Sequence, residues 1–501
     1  MSLNDGSQSH PQLRELLSLF PYDSARPVQK GALAILARMF TDDVHFSIIE
    51  APTGAGKSAL AVATARYAGT LNNEEFDPGA YILTPHNNLA EQMIADFRDL
   101  GLSSIRGRNH YEAMCAGAYE QAKNEFVESL IGVTNYAYFL HARHLPERQL
   151  LVLDEAHNIE RALLDMVGFR ITPQTCLATG IDVPPWFGIH DHKQIVDWLG
   201  AAVLPALRKH VTRCRQSSVR REWEDLAERV RGHMDMEDRS QWLAWSDDEG
   251  ALTVKPLSVT TQARDLFARA RFVVILSATI FDFPTFRRVL GMPDEALTFS
   301  APSDFPLRNR PIIYRPAGDM AAKAINHTIP HLCTEIERIL SEFSRSKGVI
   351  HTHSYAVNRC VSKHLAAKYG YRIVTHGQNP KHREQAIRRH CARDEPSVLV
   401  SPSLAEGVDL KGDLARFQVV CKVPYPRLDS YTRARCVRDR AWYELQTAWA
   451  LVQMIGRAVR SETDSATTFV LDSQFEKFVV RNEAILPMWW RAAIQTAKEA
   501  V

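Results

Sequence analysis

The chain has 501 residues, enough for two or three domains. Its hydrophobic share of 45% and charged share of 24% are those of an ordinary globular protein. Sixty basic against 58 acidic side chains leave a formal charge of +2, which excludes a histone-like polycation. A protein that gathers its positive charge into one groove and cancels it elsewhere stays compatible with that balance.

The polar first dozen residues lack the basic-then-apolar pattern of a signal peptide. The longest apolar stretch, around residues 272–276, falls far short of the ~20 residues that span a bilayer, so a cytoplasmic protein without membrane segments is expected. Eight cysteines without a C-x-x-C pair argue against a zinc ribbon or a thioredoxin-type site and read as reduced thiols. Phe46-Ser-Ile-Ile-Glu50 is a short β-rich run that meets a glycine turn at residues 51–56, and the alanine-rich residues 58–68 read as helix. Tyr81-Ile-Leu-Thr84 and Leu150-Leu-Val-Leu153 are further apolar runs, each ending in polar residues ahead of a helical stretch. That is the rhythm of a parallel sheet with ligand groups at its strand ends.

Between His157 and Ser277 the rhythm lapses for roughly 120 residues, far beyond an ordinary connection. Residues 197–236 read as amphipathic helix, so a helical insertion domain is predicted. Its close-set Arg213, Arg215, Arg220 and Arg221 fit either a solvated helix face or a surface that tracks a phosphate backbone. Arg271-Phe-Val-Val-Ile-Leu276 returns to strand character and ends in Ser277-Ala-Thr279. The proline-rich residues 301–311 read as a linker. Alternation then resumes at Gly348-Val-Ile-His-Thr352, Arg372-Ile-Val-Thr375, Ser397-Val-Leu-Val-Ser401, Phe417-Gln-Val-Val-Cys421 and Thr467-Thr-Phe-Val-Leu471, which predicts a second α/β domain.

Glu50-Ala-Pro-Thr-Gly-Ala-Gly-Lys-Ser58 matches the phosphate-binding loop G-x-x-x-x-G-K-[ST], except that Ala51 replaces the first glycine. Residues Thr53, Gly54, Ala55 and Gly56 are expected to wrap the phosphates, Lys57 to neutralise the β and γ groups, and Ser58 to ligate magnesium. A chance glycine-rich helix start is the bland alternative, and the strand before and helix after it argue against that. Leu150-Leu-Val-Leu-Asp154-Glu155-Ala-His157 supplies a second half, with Asp154 directed to the metal and Glu155 placed to deprotonate the attacking water. The pair points to ATP hydrolysis rather than binding alone. Gln453, Arg457 and Arg460 recur on one helix face, far along the chain, and could complete such a site only across a domain interface.

Taken in order, these segments resemble the superfamily 2 helicases, and within them the DinG/XPD group of 5′-to-3′ DNA helicases. The likeness runs from about Phe20 to Phe475. Phe20-Pro-Tyr22 with Arg26-Pro-Val-Gln29 resembles the group's N-terminal motif. Thr84-Pro-His-Asn87, Val133-Thr-Asn135, Ser277-Ala-Thr279, His351-Thr-His-Ser-Tyr355, Ser401 with Glu406-Gly-Val-Asp409, and Gln453 to Arg460 resemble its successive motifs. The resemblance implies an α/β fold of two RecA-like parallel-sheet domains, with a mainly helical insertion domain and a short remnant of the iron–sulfur domain. It divides the chain into a tail at 1–19, a first domain at 20–157 and 256–300, an arch-like insertion at 158–255, a linker at 301–315 and a second domain at 316–501. The remnant falls at 101–134.

The same resemblance implies that Gln29 reads adenine and that Asp409 lies at the nucleotide. Ser277, Thr279 and Glu406 would couple the nucleotide site to the nucleic-acid groove, and His157 would bridge motifs. His86, Asn87, Asn135, His353 and Ser401 would lie near a strand's phosphates, with strand-end capping or a buried hydrogen bond as the alternative role of each. Tyr425, Tyr431, Trp442 and Trp449 are candidates for base stacking, against core packing as the alternative. Ile105-Arg-Gly-Arg-Asn-His-Tyr-Glu-Ala-Met-Cys115 resembles the segment that carries the first iron–sulfur ligand, yet no cysteine occurs between Ala116 and Asp154. A cluster needs four thiolates, so none is expected.

The expected function is an ATP- and Mg2+-dependent, single-strand-stimulated DNA helicase or translocase, 5′ to 3′, acting on single-stranded DNA, a forked duplex, an RNA–DNA hybrid or an R-loop. A translocase that does not unwind, and an ATP-gated nucleic-acid-binding subunit docked to a protein partner through the helical insertion, are the alternatives.

Overall fold

The computed structural model describes residues 11–496, apart from 53, 112–113, 115–116, 143, 183–191, 237, 247–249, 303–304, 403–409, 411, 457 and 460–462. In the first half of the chain the strands are β1 (Phe46–Glu50), β2 (Asp77–Thr84), β3 (Leu102–Ser104), β4 (Ile131–Asn135), β5 (Arg148–Leu153), β6 (Phe169–Ile171), β7 (Trp242–Ser246), β8 (Leu252–Pro256), β9 (Ala270–Ser277) and β10 (Leu297–Ser300). Seven of them form one sheet in the order β10-β1-β9-β5-β2-β4-β3, every pairing parallel. All five residues of β1 and all six of β5 are buried. Strands covered by helices on both faces read as continuous apolar runs, which is why these two stood out in the sequence.

The order places β1 and β5 on either side of β9, so the ends of three strands meet along one sheet edge. Open parallel sheets bind ligands at that edge. Helix Lys57–Ala68 follows β1 directly, and its alanines sit fully buried against the sheet together with Leu60 and Val62.

The second half contributes β11 (Ile312–Gly318), β12 (Gly348–His351), β13 (Ile373–Thr375), β14 (Val398–Ser401), β15 (Phe417–Val420), β16 (Thr467–Asp472) and β17 (Ile494–Thr496). They form a second parallel sheet in the order β13-β14-β12-β15-β16-β11-β17. Each domain therefore has the α/β architecture read from the sequence.

Three features differ from that reading in detail. Residues 11–18 are a helix, with Leu13 and Leu16 packed into the first domain's core, where a tail was expected. Eight residues hold too few helical repeats to reveal an amphipathic face. Strand β11 begins at Ile312, inside the predicted linker. The insertion is mainly helical, but it also holds an antiparallel sheet ordered β6-β8-β7, packed on helices Leu204–Arg213 and Ser217–Met234 around Leu207, Val230 and Val254. A three-residue strand such as β6 is too short to show alternation.

The predicted iron–sulfur remnant, 101–134, takes in β3 and most of β4 of the first sheet and holds helix Ala118–Glu128 between them. The buried Arg148 clamps it: its guanidinium donates to Val127 O at 2.7 Å and Ala80 O at 3.1 Å and lies 4.2 Å over the Tyr81 ring. Gly79 permits the close approach there. Its φ is +106°, and a Cβ would stand 2.2 Å from Leu130 O.

Helix Arg440–Ile455 is shared between the two domains. Leu445 and Trp449 join the core beneath the first sheet, while Leu451, Val452 and Ile455 join that of the second.

Candidate active site

The loop after β1 is held from outside by the start of helix Pro27–Thr41. The Arg26 guanidinium donates to Gly54 O at 2.8 Å, and the Gln29 amide donates to Ala55 O at 3.0 Å while accepting the Arg26 N–H at 2.8 Å. Gln29 is buried, so in this conformation its amide braces the loop. Gly54 and Gly56 have φ of +81° and +83°. A Cβ on Gly56 would meet Gln29 Nε2 at 2.2 Å, so glycine is required both by the backbone and by this brace. Left-handed positions in such a loop turn backbone N–H groups toward a common centre, the geometry that suits an anion. Half-buried Ser58 sits in the first turn of the helix that follows.

Lys57 is buried, with its amine 3.3 Å from Ala51 O and 3.7 Å from Glu155 Oε1. Asp154 directly follows β5, and its carboxylate accepts the Glu155 N–H at 3.0 Å. Burial, with the neighbouring Glu155 carboxylate adding to it, pushes Asp154 up to about 6. Glu155 adopts φ +48°, ψ +48°, a left-handed conformation rare for a residue with a Cβ and typical of functional turns. The structure thus joins Lys57, Asp154 and Glu155 at one point, about 100 residues apart in sequence, because β1 and β5 flank β9. A cation beside two carboxylates at a glycine-loop helix start fits a magnesium–nucleoside triphosphate.

His157 faces Glu155 and Ser277 with one edge and Gln453 of the second domain with the other. Its Nδ1 lies 2.9 Å from Ser277 Oγ, and its Nε2 lies 2.7 Å from Gln453 Nε2 and 3.0 Å from Asn158 Nδ2. Two amide donors on Nε2 assign the proton to Nδ1, so the ring donates to Ser277. Gln453 also donates to Thr279 Oγ1 at 3.1 Å. His157, Ser277, Thr279 and Gln453 therefore form one network across the two domains. Arg457, Arg460, Thr53, Glu406 and Asp409 lie outside the described residues, as does Cys115.

Two matches of domain scale cover these elements. Residues 26–176 match the DEAD/DEAH box helicase model, and residues 336–493 match the helicase C-terminal domain model. The ATP-dependent DNA helicase DinG of Photobacterium profundum is 24% identical over 249 residues, 45% of this chain and 35% of that protein. The protein of the same name from Escherichia coli K12 is 34% identical over 100 residues, 18% of this chain and 14% of that one. The chain carries a DEAD/DEAH box helicase domain and a helicase C-terminal domain, and it is similar to the DinG helicases. The Xpd4 structure from S. tokodaii superposes with a TM-score of 0.64 at 16% identity, covering 94% of this chain and all of that one, so the fold of that structure extends over nearly the whole molecule. The chain matches about a third or less of the length of these two DinG proteins.

The residues assigned to nucleic acid by the DinG/XPD resemblance occupy mixed environments. His86 is exposed at the start of helix Asn87–Asp96. Asn135 donates to the Asn87 side chain and caps helix Tyr136–His141 by accepting the Tyr138 N–H at 2.7 Å. His353 has φ +56° and meets Tyr425 O at 3.1 Å, and its burial pushes the ring's pKa down. Ser401 is fully buried and bonded to His376 at 2.9 Å. The aromatic candidates serve packing: Trp442 and Trp449 are buried between the domains, Tyr425 stacks on Tyr443, and Tyr431 stacks on Trp245.

The sequence reading missed Glu50 as a site residue. Its carboxylate accepts the Phe281 N–H at 2.7 Å, tying the strand before the phosphate loop to the segment after Ser277-Ala-Thr279. A charged last residue on a fully buried strand whose other residues are uncharged was the signal available. Burial pushes Glu50 from 4.5 up to about 7, against the lowering by the Phe281 and Ile280 N–H groups. Between those two values the folded state keeps a proton that the unfolded chain has released, so this group's contribution to stability falls as pH rises through that window. Glu50→Gln keeps an acceptor for Phe281 and removes the ionisation. Its melting temperature relative to wild type is expected to rise between pH 5 and pH 8, and thermal melts at the two pH values would show an unchanging difference if the reading were wrong.

No helix among the described residues is long and apolar enough to cross a membrane.

Proposed function

We propose that this chain is an ATP-hydrolysing motor that tracks along single-stranded DNA, 5′ to 3′, and opens duplexes, forks or R-loops. The observation that carries it is the bonding of Gln453, on the second domain, to His157 and Thr279 on the first. A site shared by two domains converts hydrolysis into relative motion, because what holds the domains together changes as the nucleotide changes. The names of the Photobacterium and Escherichia coli relatives support DNA as the track.

In this reading the ATP phosphates lie on the loop at Gly54 to Ser58, Lys57 offsets their negative charge, and Gln29 lies beside the base. Ser58 and Asp154 would hold Mg2+, which supplies charge neutralisation at the β and γ phosphates. Glu155 accepts a proton from the attacking water. Arg457 and Arg460 would approach from the second domain to steady the transition-state charge. His86, Asn87, Asn135, His353 and Ser401 are proposed to line the strand's path, and the insertion to receive a protein partner.

The test is steady-state ATPase with and without single strands, paired with unwinding of 5′- and 3′-tailed duplexes whose tails are DNA or RNA. Stimulated hydrolysis with opening of 5′-tailed DNA alone is the expected result. Hydrolysis indifferent to single strands would sink the motor reading, and opening of 3′-tailed substrates alone would reverse the polarity. Strand-stimulated hydrolysis that opens neither substrate would leave a translocase without unwinding.

A further inference from the structure

Helices Ser430–Arg438 and Arg440–Ile455 of the second domain form a hairpin that touches the nucleotide site at one end and the insertion at the other. Near the middle stands Glu160, three residues beyond His157, on helix Ile159–Val167. Its side chain is 7% exposed and its described hydrogen bonds all come from the hairpin. Oε1 accepts from Arg435 Nη2 at 2.5 Å, and Oε2 accepts from Trp442 Nε1 at 2.8 Å and Gln446 Nε2 at 3.3 Å. The Arg435 guanidinium also lies 4.3 Å over the Trp442 ring, and the pair is buried on both sides.

Trp442, Gln446, Trp449 and Gln453 recur at intervals of four, three and four, so they share one helix face about 16 Å long. Along it, Trp442 and Gln446 hold Glu160, Trp449 donates to Ile280 O at 3.3 Å, and Gln453 bonds His157 and Thr279. The other helix reaches the insertion. Tyr431 donates to Pro256 O at 3.0 Å and stacks on Trp245 at 5.5 Å, with the rings 25° apart, and Arg438 bonds Gln241.

We propose that Glu160 is a positioning residue that anchors this hairpin as a transmission rod between the nucleotide site and the insertion domain. The inference rests on the ATPase reading above. A buried carboxylate with three donors is either fully held or released at high cost, so the contact behaves as a two-state fastening rather than a soft spring. Displacement at the Gln453 end is then delivered to Tyr431 and Trp245 instead of being absorbed between the domains. A single strand that extends from its proposed path onto the insertion's basic cluster of Arg213, Arg215, Arg220 and Arg221 would be felt at the nucleotide site by the same route, since coupling between two sites is reciprocal.

The test compares Glu160→Gln and Tyr431→Phe with wild type. Tyr431→Phe removes one hydroxyl and leaves the ring stack in place. Both are expected to keep unstimulated turnover and the KM for ATP within about twofold, and to lose stimulation by single strands by about tenfold, within the range of ordinary coupling. Stimulation kept in full by the variants, or lost in proportion to unstimulated turnover, overturns the proposal. Should Glu160→Gln fail to fold, Tyr431→Phe decides. A wild-type protein that hydrolyses no ATP removes the functional reading but not the anchor, which is then judged by amide exchange in the nucleotide-free protein. Faster exchange in β7, β8 and Ser430–Arg438 in Tyr431→Phe upholds it, and unchanged exchange overturns it.

Discussion

Glu155→Gln is expected to lower kcat for ATP by about 10² to 10⁴-fold, the range associated with a lost general base, while nucleotide affinity changes by no more than a few fold. The carboxylate stands 3.7 Å from the Lys57 amine and 3.6 Å from His157 Nδ1, half-exposed at the mouth of the site. Its amide counterpart has the same shape but cannot take up a proton at neutral pH. The backbone turn that presents the group, with φ +48°, survives the change because the side-chain volume is kept. Lys57→Ala removes the phosphate-neutralising cation instead, so its loss falls on binding as well as turnover. Steady-state rates together with equilibrium binding of a fluorescent ATP analogue separate the two variants. Glu155→Gln turnover within a few fold of wild type would assign the base elsewhere.

Trp449→Ala is expected to destabilise the protein by about 3–5 kcal/mol, the usual cost of deleting a buried aromatic side chain. Trp449 is 6% exposed, fills the core beneath the first sheet, packs edge-on against Phe286 and donates its indole N–H to Ile280 O. It is a second-domain residue held in the first domain's core, so the change also frees the helix that carries Gln453. Urea unfolding followed by far-ultraviolet dichroism checks the loss of stability. A shift under 1 kcal/mol would mean that Trp449 does not fasten the domains. The two variants should differ in kind: Glu155→Gln unfolds like wild type, whereas Trp449→Ala loses stability before any question of chemistry arises.

The fate of Trp449 shows where sequence reading stops. An aromatic residue on a helix fits a base-stacking platform and a core equally well until its neighbours are known, and here the neighbours belong to another domain. Gln29 shows the same limit: a place at the nucleotide is implied by the likeness of residues 26–29 to the DinG/XPD motif, but its hydrogen bond to Ala55 O is not.

The sequence by itself determined the two parallel-sheet domains, since strands buried on both faces leave uninterrupted apolar runs such as 150–153. It also picked out Lys57, Ser58, Asp154 and Glu155 as the two halves of the proposed site, because a glycine loop between strand and helix and a carboxylate pair at a strand end are local patterns. The tertiary structure alone decided what joins those halves. The order of β1, β9 and β5 along one edge, the Glu50 contact to Phe281, and the Glu160–Arg435 fastening between domains each pair residues more than 100 positions apart. No periodicity along the chain encodes such pairings; they arise only when packing brings distant surfaces together and burial makes an unpaired charge too costly to leave.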